Sequence, residues 1–330
     1  MKKYLVTGGA GFIGANFILT LLEKYGDGIE IHNVDCLTYA GNLENLKSVK
    51  SPRYHFHKCD IRKRDELESV FRSRQFDCVI HFAAESHVDR SILDSTAFIE
   101  TNVLGTQNLL DLSRNYEVDR FVHVSTDEVY GTLSMDAPPF TEAHQIEPNS
   151  PYSASKAGSD LLVRSYVETY GFPGIITRCS NNYGPFQFPE KLIPLMVCNA
   201  QENKALPVYG KGDNVRDWIH VTDHCKAVET IARKGRVGEA YNIGGDAEMP
   251  NIDVVKSILK ILDKPETLIE YVTDRLGHDF RYAMNHDKLT RETGWQPQMT
   301  FEKGLENTVK WYVDHPEWTD SVRSGAYMDY

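Results

Sequence analysis

Two side chains four residues apart could together remove a proton from a hydroxyl group. Tyr152 and Lys156 stand at positions i and i+4, which places both on one face of a helix. A phenol has an ordinary pKa of about 10 and is a poor base at neutral pH, but a neighbouring ammonium group favours its phenolate form. The pair is therefore a candidate general base. The same spacing also occurs by chance, as a surface pair on a helix with a partly buried ring.

Two adjacent carboxyl groups could supply an acid and a base at a single site. Asp127 and Glu128 follow Thr126 at the end of a predicted strand, and parallel sheets bind ligands beyond the carboxyl ends of their strands. Neighbouring like charges push pKa values apart, so one group can stay protonated while the other is ionised. The pattern predicts a general acid and a general base. The alternative is that both carboxylates merely cap a turn.

A glycine-rich turn near the start of the chain predicts a dinucleotide site. Residues 7–14 read TGGAGFIG, between a predicted strand and a helix that begins near Phe12. Glycines allow the tight turn and the close approach of a pyrophosphate, and the helix N-terminus favours the phosphates. Asp35 follows 21 residues after Gly14, where its carboxylate can accept hydrogen bonds from the adenosine ribose. The same carboxylate would repel a 2′-phosphate, so we expect NAD rather than NADP.

A bound NAD would also act on the candidate base. Its positive nicotinamide ring and Lys156 would both favour the Tyr152 phenolate, and a shift of roughly three pKa units takes about 4 kcal/mol. Asp60 and Ile61 follow the third predicted strand and could cover the adenine. An aspartate at this position could equally be the N-cap of a helix.

The elements that must position these residues alternate between short β-branched runs and helical segments, which is typical of βαβ units. The predicted strands are Tyr4–Thr7, Ile29–Val34, Tyr54–Lys58, Cys78–Phe82, Phe121–Ser125 and Gly174–Arg178. The predicted helices include Thr96–Asn115, Ser153–Tyr170, Val254–Leu262 and Phe301–Val313. We predict an α/β fold with a Rossmann-type doubly wound parallel sheet over residues 1–183. A smaller, entwined C-terminal lobe over residues 184–330 would bind the substrate.

Composition narrows the class of protein. The 330 residues are 41% hydrophobic and 25% charged, as in a globular protein, and no apolar run is long enough to span a membrane. The net charge of −11 argues against a nucleic-acid partner, because such binding requires clustered Lys and Arg. The apolar stretch ahead of the glycine turn is too short for a signal peptide. We therefore expect a cytoplasmic protein without nucleic-acid or membrane partners.

The cysteines and histidines give no clear metal site. The six cysteines are scattered without a C-x-x-C pair, so we expect reduced, mostly buried thiols. His220 and His224 stand at i and i+4, but the intervening residues lack the glutamate of the H-E-x-x-H zinc motif. We expect no metal.

The glycine turn and the Tyr152/Lys156 pair together resemble the extended branch of the short-chain dehydrogenase/reductase superfamily. The resemblance implies a Rossmann domain, bound NAD and chemistry on nucleotide-linked sugars. Within this branch, Asp127 and Glu128 resemble the dTDP-glucose 4,6-dehydratase family, because epimerases typically carry small neutral residues at these positions. The family implies a hydro-lyase in deoxysugar biosynthesis that converts dTDP-glucose to dTDP-4-keto-6-deoxy-glucose.

The same resemblance implies residue roles. Thr126 and Tyr152 would hold the C4 hydroxyl, Glu128 would abstract the C5 proton and Asp127 would protonate the departing C6 hydroxyl. The implied NAD contacts, besides Tyr152 and Lys156, are Gly8, Gly11, Phe12, Ile13, Gly14, Asp35, Cys36, Leu37, Thr38, Asp60, Ile61, Phe82, Ala83, Ala84, Glu85, Ser86, Thr101 and Asn182. The implied substrate contacts, besides Thr126, are Ser86, Asn181, Lys191, Leu192, Pro207, Tyr209, Arg216, Asn251, Asp274, Arg275 and His278.

The resemblance also implies a homodimer, in which the helices Thr96–Asn115 and Ser153–Tyr170 form a four-helix interface. One departure is visible, since Leu276 stands where the family commonly has proline.

Two other functions stay open at this point. A nucleotide-sugar 4-epimerase would share the NAD site, Tyr152 and Lys156, and an inactive NAD-binding regulatory module would keep only the cofactor site. The choice between thymine and uracil rests on one methyl group, and the sequence leaves it undetermined.

Overall fold

The structure, a computed structural model, describes residues 1–72, 74–274 and 276–328. Its strands are β1 (Lys2–Thr7), β2 (Ile29–Asp35), β3 (Tyr54–Lys58), β4 (Cys78–His81), β5 (Arg120–Thr126), β6 (Gly174–Cys179), β7 (Asn181–Tyr183), β8 (Leu206–Tyr209), β9 (Val215–His220), β10 (Ala240–Ile243), β11 (Glu248–Pro250) and β12 (Ile269–Val272). Seven of them form the main sheet, in the order β10-β6-β5-β4-β1-β2-β3, and every pairing within it is parallel. From β1 the chain first adds strands on one side (β2, β3) and then on the other (β4, β5, β6), and α/β sheets bind ligands where the direction of strand addition changes.

The predicted Rossmann-type sheet is confirmed. All six predicted strands are present, and their bounds differ from the prediction by no more than two residues at either end. The central strands β4 and β5 are almost wholly buried, because helices cover both faces of the parallel sheet.

The helices are α1 (Phe12–Tyr25), α2 (Arg64–Arg72), α3 (Val88–Leu93), α4 (Thr96–Phe98), α5 (Thr106–Asn115), α6 (Pro151–Tyr170), α7 (Leu192–Gln201), α8 (Val221–Lys234), α9 (Asn251–Ile261), α10 (Asp287–Thr293), α11 (Phe301–Asp314) and α12 (Pro316–Ser324). Phe17 of α1 and Val228 of α8 belong to the core on one face of the sheet. Phe71 of α2, Leu112 of α5 and Val163 of α6 belong to the core on the other face. Within the described ranges, no helix is both long enough and apolar enough to cross a bilayer.

A second lobe has its own core, built from α7, α9, α11 and α12. Two small sheets accompany these helices, one in the order β11-β9-β7 and one pairing β12 with β8. The chain returns from this lobe to the main sheet, where β10 pairs with β6 and α8 packs against α1. The division at residue 183 stays a prediction.

The predicted helix over residues 96–115 differs in the structure, because a π-helical segment, Ile99–Gly105, separates α4 from α5. Asn102 lies in this segment and is buried. Its side chain accepts a hydrogen bond from the Glu85 backbone N–H at 2.9 Å and donates to the Glu85 carbonyl at 3.0 Å and the Ser155 hydroxyl at 2.8 Å. These bonds to the segment after β4 and to α6 hold the wider turn, and π-helical turns are frequent at functional sites.

Helix α6 begins two residues earlier than predicted because its N-terminus is capped. The Ser150 hydroxyl accepts a hydrogen bond from the Ser153 backbone N–H, the Ser153 hydroxyl accepts one from the Ser150 backbone N–H, and Pro151 occupies the first turn. Such reciprocal caps satisfy N–H groups that have no partner within the helix. The cap fixes the start of the turn that carries Tyr152.

Candidate active site

A cavity of about 320 Å³ lies beyond the carboxyl ends of the main-sheet strands. The segments that follow β1, β2, β3, β4, β5 and β6 all contribute to its wall. Residues 186–188, 190 and 191, which precede α7, close the side that faces the second lobe. The cavity therefore lies where a doubly wound sheet is expected to bind a dinucleotide.

The glycine turn fits a closely approaching pyrophosphate. Gly8 has a φ of +70°, and a Cβ atom there would lie 2.6 Å from the Ala83 backbone nitrogen. A Cβ on Gly14 would lie 2.2 Å from the Gly8 carbonyl oxygen. Neither position can take a larger residue without moving backbone atoms. The turn thus keeps backbone groups, rather than side chains, facing the cavity at the start of α1.

Asp35 lies on the cavity wall at the end of β2. One carboxylate oxygen accepts the Ala10 backbone N–H at 3.0 Å, and the other accepts the Leu37 N–H at 2.9 Å. Burial raises the pKa of this carboxyl group, and the two N–H donors lower it. Each carboxylate oxygen can accept more than one hydrogen bond. The group is thus fixed in orientation and can still accept bonds from ribose hydroxyls.

Asp60 is paired with Arg62 rather than capping a helix. Its carboxylate accepts the Arg62 backbone N–H at 2.9 Å and binds the Arg62 guanidinium through Nη2 at 2.7 Å. Since α2 begins only at Arg64, Asp60 stands too far ahead to be its N-cap. Both residues line the cavity. Arg62 is a cavity residue that the sequence reading missed, since no motif marks the loop after β3.

The structure brings together nearly all of the predicted cofactor residues. Every one lines the cavity except Leu37, which is buried beside it with a φ of +57°. A positive φ is rare for a branched residue, and such backbone strain clusters at ligand sites. The sequence reading missed further lining residues, among them Tyr39, Ser125, Cys179, Gln187 and Glu190. Ser125 is the penultimate residue of β5 and Cys179 the last residue of β6, so the rule that singled out Thr126 could have found both.

Tyr152 and Lys156 lie in the first turns of α6, and both line the cavity. The Lys156 ammonium donates a 2.7 Å hydrogen bond to the Val124 carbonyl of β5. Burial lowers the pKa of Lys156 to about 8, although Asp160 opposes this shift. The Tyr152 ring packs edge-on against Phe98.

The pKa of Tyr152 differs from the expectation of a lysine-stabilised phenolate. Burial raises it well above the ordinary value, Glu128, Cys179 and Asp127 raise it further, and the hydrogen bond with the Thr126 hydroxyl lowers it. In the chain alone the phenol therefore stays protonated. The expected phenolate rested on Lys156 together with the positive nicotinamide ring, so it stays a prediction for the enzyme with bound NAD.

The acid and base candidates lie on a short 3₁₀ turn, Asp127–Tyr130, that directly follows β5. The Thr126 hydroxyl caps this turn by accepting the Glu128 backbone N–H at 3.3 Å, and it donates to the Asp127 carboxylate at 3.1 Å. Thr126, Asp127 and Glu128 all line the cavity together with Tyr152. The sheet therefore presents a phenol, a hydroxyl and two carboxyl groups to one space.

The surroundings of Asp127 favour its protonated form. Burial raises its pKa well above the ordinary value, and the charges of Glu128 and Asp217 raise it further. The Thr126 hydroxyl and the Arg216 guanidinium lower the pKa by a smaller amount. Asp217 is itself buried in β9, with a pKa raised to about 6. The carboxyl group of Asp127 can thus donate a proton, which is what an acid catalyst at this position requires.

The segment after β6 places two asparagines in the cavity wall. The Asn182 side chain donates to the Ser180 carbonyl at 3.0 Å and bonds the His224 ring at 2.8 Å. His220 instead accepts the Thr222 backbone N–H at the start of α8. His224 thus orients Asn182, whereas His220 caps helix α8. Asn181 also lines the cavity, and among the described residues its buried side-chain oxygen has no hydrogen-bond partner.

The predicted substrate residues divide into two groups. Ser86, Thr126, Asn181 and Lys191 line the cavity, and the Lys191 ammonium donates to the Ser86 carbonyl at 3.1 Å. The others lie in the second lobe outside its walls: Leu192, Pro207, Tyr209, Arg216, Asn251, Asp274 and His278. Arg275 lies outside the described residues.

Several of these second-lobe residues contact one another. His278 bonds the Asp274 carboxylate at 2.6 Å and packs edge-on against Tyr209, whose hydroxyl bonds Asp89 at 3.4 Å. Arg216 is buried and stacks over Tyr282, and its guanidinium donates to the Asp279 carbonyl at 2.9 Å. Leu276 is 76% exposed, so the residue that replaces the usual proline does not pack in a core.

The fold and the site define a class of protein. A doubly wound parallel sheet, a glycine turn with Asp35, and a buried Tyr152/Lys156 pair at the same cavity are the parts of an extended short-chain dehydrogenase/reductase. The profile of the family described as GDP-mannose 4,6 dehydratase matches residues 5–308.

Individual relatives narrow the class. The chain is 51% identical to a dTDP-glucose 4,6-dehydratase of Shigella flexneri, across 99% of this chain and 97% of that protein. A dTDP-glucose 4,6-dehydratase from Bacillus anthracis, solved in complex with NAD, superposes with a TM-score of 0.91 at 50% identity, covering 98% of this chain and 100% of that one. The same enzyme from Streptomyces venezuelae, also solved with NAD, gives 0.93 at 48% identity, covering 97% and 99%. The chain belongs to the dTDP-glucose 4,6-dehydratase family.

Proposed function

We propose that this enzyme dehydrates dTDP-glucose to dTDP-4-keto-6-deoxy-glucose and uses NAD without net consumption. The observation that carries the proposal is the buried Asp127 carboxyl group, which lies beside Glu128 in the same cavity as Tyr152 and whose protonated form is favoured by burial. Of the chain's own groups, oxidation at C4 alone needs only the phenol, because NAD would take the hydride. An acid and a base beside it serve the further loss of water across C5 and C6.

The cavity residues suit NAD in particular. The glycine turn and the start of α1 would hold the pyrophosphate, and Asp35 would accept the ribose hydroxyls. Asn182, fixed by His224, would lie against the nicotinamide. When bound, NAD would take up the hydride from C4 and return it to C6, so no outside reductant is required.

The chain's own groups would move the protons. Tyr152, with its phenolate form favoured by the charges of Lys156 and bound NAD, would take the proton of the C4 hydroxyl, with Thr126 holding the same hydroxyl. The resulting C4 ketone makes the C5 hydrogen acidic, and Glu128 removes it. Asp127 gives its proton to the C6 oxygen, which leaves as water. Glu128, after exchange with solvent, would return a proton to C5 when the hydride is returned to C6. Lys191 would meet the diphosphate from the second-lobe side, and Arg216 and Arg275 are its proposed partners.

The test is to supply dTDP-glucose deuterated at C4, in ordinary water with catalytic NAD, and to locate the label by NMR. We expect deuterium at C6 and a solvent-derived hydrogen at C5 of a 4-keto-6-deoxy product. Deuterium retained at C4 of an inverted sugar would instead identify a 4-epimerase, and an absence of product would favour a regulatory module. Parallel assays with dTDP-, UDP- and CDP-glucose would establish the preferred base.

Asp35 should make the enzyme select NAD. We expect the wild-type apoenzyme to be reactivated by NAD but poorly by NADP, because the buried carboxylate repels a 2′-phosphate. Asp35→Ser should narrow this preference by removing the charge. The measurement is the activity regained at a series of NAD and NADP concentrations. Equal reactivation of the wild type by both cofactors would exclude Asp35 from this role.

We propose that the enzyme is a homodimer, joined through α6 and the segment from α4 to α5. Large apolar side chains are exposed along these helices: Ile99 is 50% exposed, Leu104 45% and Leu161 54%. Exposed apolar surface of this kind marks association sites. Light scattering at micromolar concentration should give twice the chain mass of 37.5 kDa. A single species at the chain mass would defeat this proposal.

We propose a cytoplasmic location, because all six cysteines are free thiols and five of them are buried. Free thiols persist in reducing compartments.

A further inference from the structure

A cluster of four side chains lies on one face of the two outer strands of the main sheet. Glu30 and His32 alternate along β2, and His55 and His57 alternate along β3, so each pair points to a single face. The strands are parallel, and His32 is registered with His55. The His32 ring stacks between His55 and His57, with centroids 4.7 Å and 5.2 Å away.

Three of these side chains converge on one point. The His32 Nε2 atom lies 2.8 Å and the His55 Nε2 atom 3.6 Å from the same Glu30 oxygen, and all three atoms lie within 4.8 Å of one another. Two imidazole nitrogens and one carboxylate oxygen suit zinc, whose bonds of about 2.0–2.1 Å put neighbouring tetrahedral ligands about 3.3 Å apart. The present separations lie on both sides of that value, so small side-chain rotations would complete the geometry.

We propose that Glu30, His32 and His55 form a binding site for a divalent transition-metal ion of the zinc type. The His55 side chain is 39% exposed, so the site is accessible from solvent on the His55 side. Magnesium and calcium are disfavoured, since they prefer oxygen-only ligands.

His57 contacts the ring of His32 and would not itself bind the metal. Its Nε2 atom lies 3.0 Å from His32 Nδ1. When His32 donates from Nε2 to Glu30, its Nδ1 accepts a hydrogen bond from His57. When Nε2 binds a metal, Nδ1 carries the proton and donates to His57 instead. Metal-bound histidines commonly donate their second N–H in this way, which fixes the ring.

Charged groups act on the site in both directions. The Glu30 carboxylate attracts a cation, and its oxygen already lies 2.8 Å from the His32 ring and 3.6 Å from the His55 ring. Arg74 and Lys3 lie close enough to oppose a cation.

The site lies away from the catalytic cavity. Glu30 and Asp35 are five residues apart on β2, which is about 16 Å along a strand. Because β3 is the edge strand of the main sheet, a metal bound by Glu30, His32 and His55 would join that edge to its neighbour. The metal would stabilise the fold and leave the dehydration chemistry unchanged.

The experiment uses the full-length enzyme with its cofactor, stripped of metals by a chelator and titrated with Zn²⁺ by calorimetry. We expect one saturable site and a rise in Tm on binding. Glu30→Gln and His55→Gln should each weaken binding by more than about 100-fold, and His57→Phe by about 10–100-fold. His315→Gln removes an exposed histidine of α11's C-terminal end and should bind as the wild type does. Co²⁺ should give visible absorption bands that His55→Gln lacks.

Two results would overturn the proposal: no saturable binding by the wild type, or binding that neither Glu30→Gln nor His55→Gln weakens. His55 is partly exposed, so His55→Gln should fold normally. Unchanged dehydratase activity and an unchanged metal-free Tm would verify this. Loss of zinc binding with retained activity would distinguish the metal site from the proposed catalytic function, which involves none of these residues.

Discussion

Tyr152→Phe should slow oxidation at C4 by about 10²–10⁴-fold while leaving the fold intact, because general bases contribute on that order. The substitution removes only the phenol oxygen, and the ring keeps its packing against Phe98. The measurement is the single-turnover rate at which enzyme-bound NAD is reduced after mixing with dTDP-glucose. Tyr170→Phe at the end of the same helix is the matched control, since Tyr170 does not line the cavity. Near-wild-type reduction by Tyr152→Phe would exclude the phenol as the proton acceptor.

The structure also predicts a direction for the pH dependence of this step. Burial, with a further contribution from neighbouring acidic groups, raises the pKa of Tyr152, so the phenol is protonated near neutral pH in the chain alone. A base with a raised pKa becomes competent only as pH rises, and each unit it must be lowered takes about 1.4 kcal/mol. Lys156 and bound NAD must therefore lower the pKa of Tyr152 before the phenol can act as a base. The C4 oxidation rate should increase with pH until Lys156, with its pKa of about 8, loses its own charge.

The parts of the site predicted from sequence are those determined by local chemistry. The turn with Gly8 and Gly14 allows no Cβ, and Thr126 ends a strand whose apolar run is visible in the sequence. Both signals are contained in a few neighbouring residues. Because the strands are parallel, the segments that follow them lie at the same edge of the sheet. Residues that were predicted separately therefore line one cavity.

The features that the sequence did not predict depend on distant contacts. The π-helical turn over residues 99–105 follows from bonds that Asn102 makes to Glu85 and Ser155. The raised pKa of Asp127 depends in part on Asp217, which lies 90 residues further along the chain. The cluster of Glu30, His32 and His55 exists only through the register of β2 with β3. None of these has a short motif, because each joins elements that only the fold brings together.

Glu128→Gln should separate oxidation from dehydration. An amide cannot accept the C5 proton, so we expect loss of water to slow by about 10²–10⁴-fold while NAD reduction at C4 continues. The variant should accumulate reduced cofactor on addition of dTDP-glucose and should not incorporate solvent deuterium at C5. Both are measurable in one reaction, by absorbance and by NMR. Rapid exchange at C5 by Glu128→Gln would assign the base to another residue.

Asp127→Asn is the matched counterpart, one residue away on the same turn. Because Asp127 is buried and its pKa is raised, the wild type carries the proton that the departing C6 hydroxyl needs, and an amide is a far poorer acid. This variant should still exchange the C5 hydrogen with solvent, since Glu128 is intact, but it should release water slowly.

The acid must be protonated, so wild-type dehydration should fall as pH rises through the raised pKa of Asp127, and the Asn variant should lose that dependence. If both variants block C5 exchange equally, the two carboxyl groups do not have separate roles, and the assignment of Asp127 as acid and Glu128 as base is wrong.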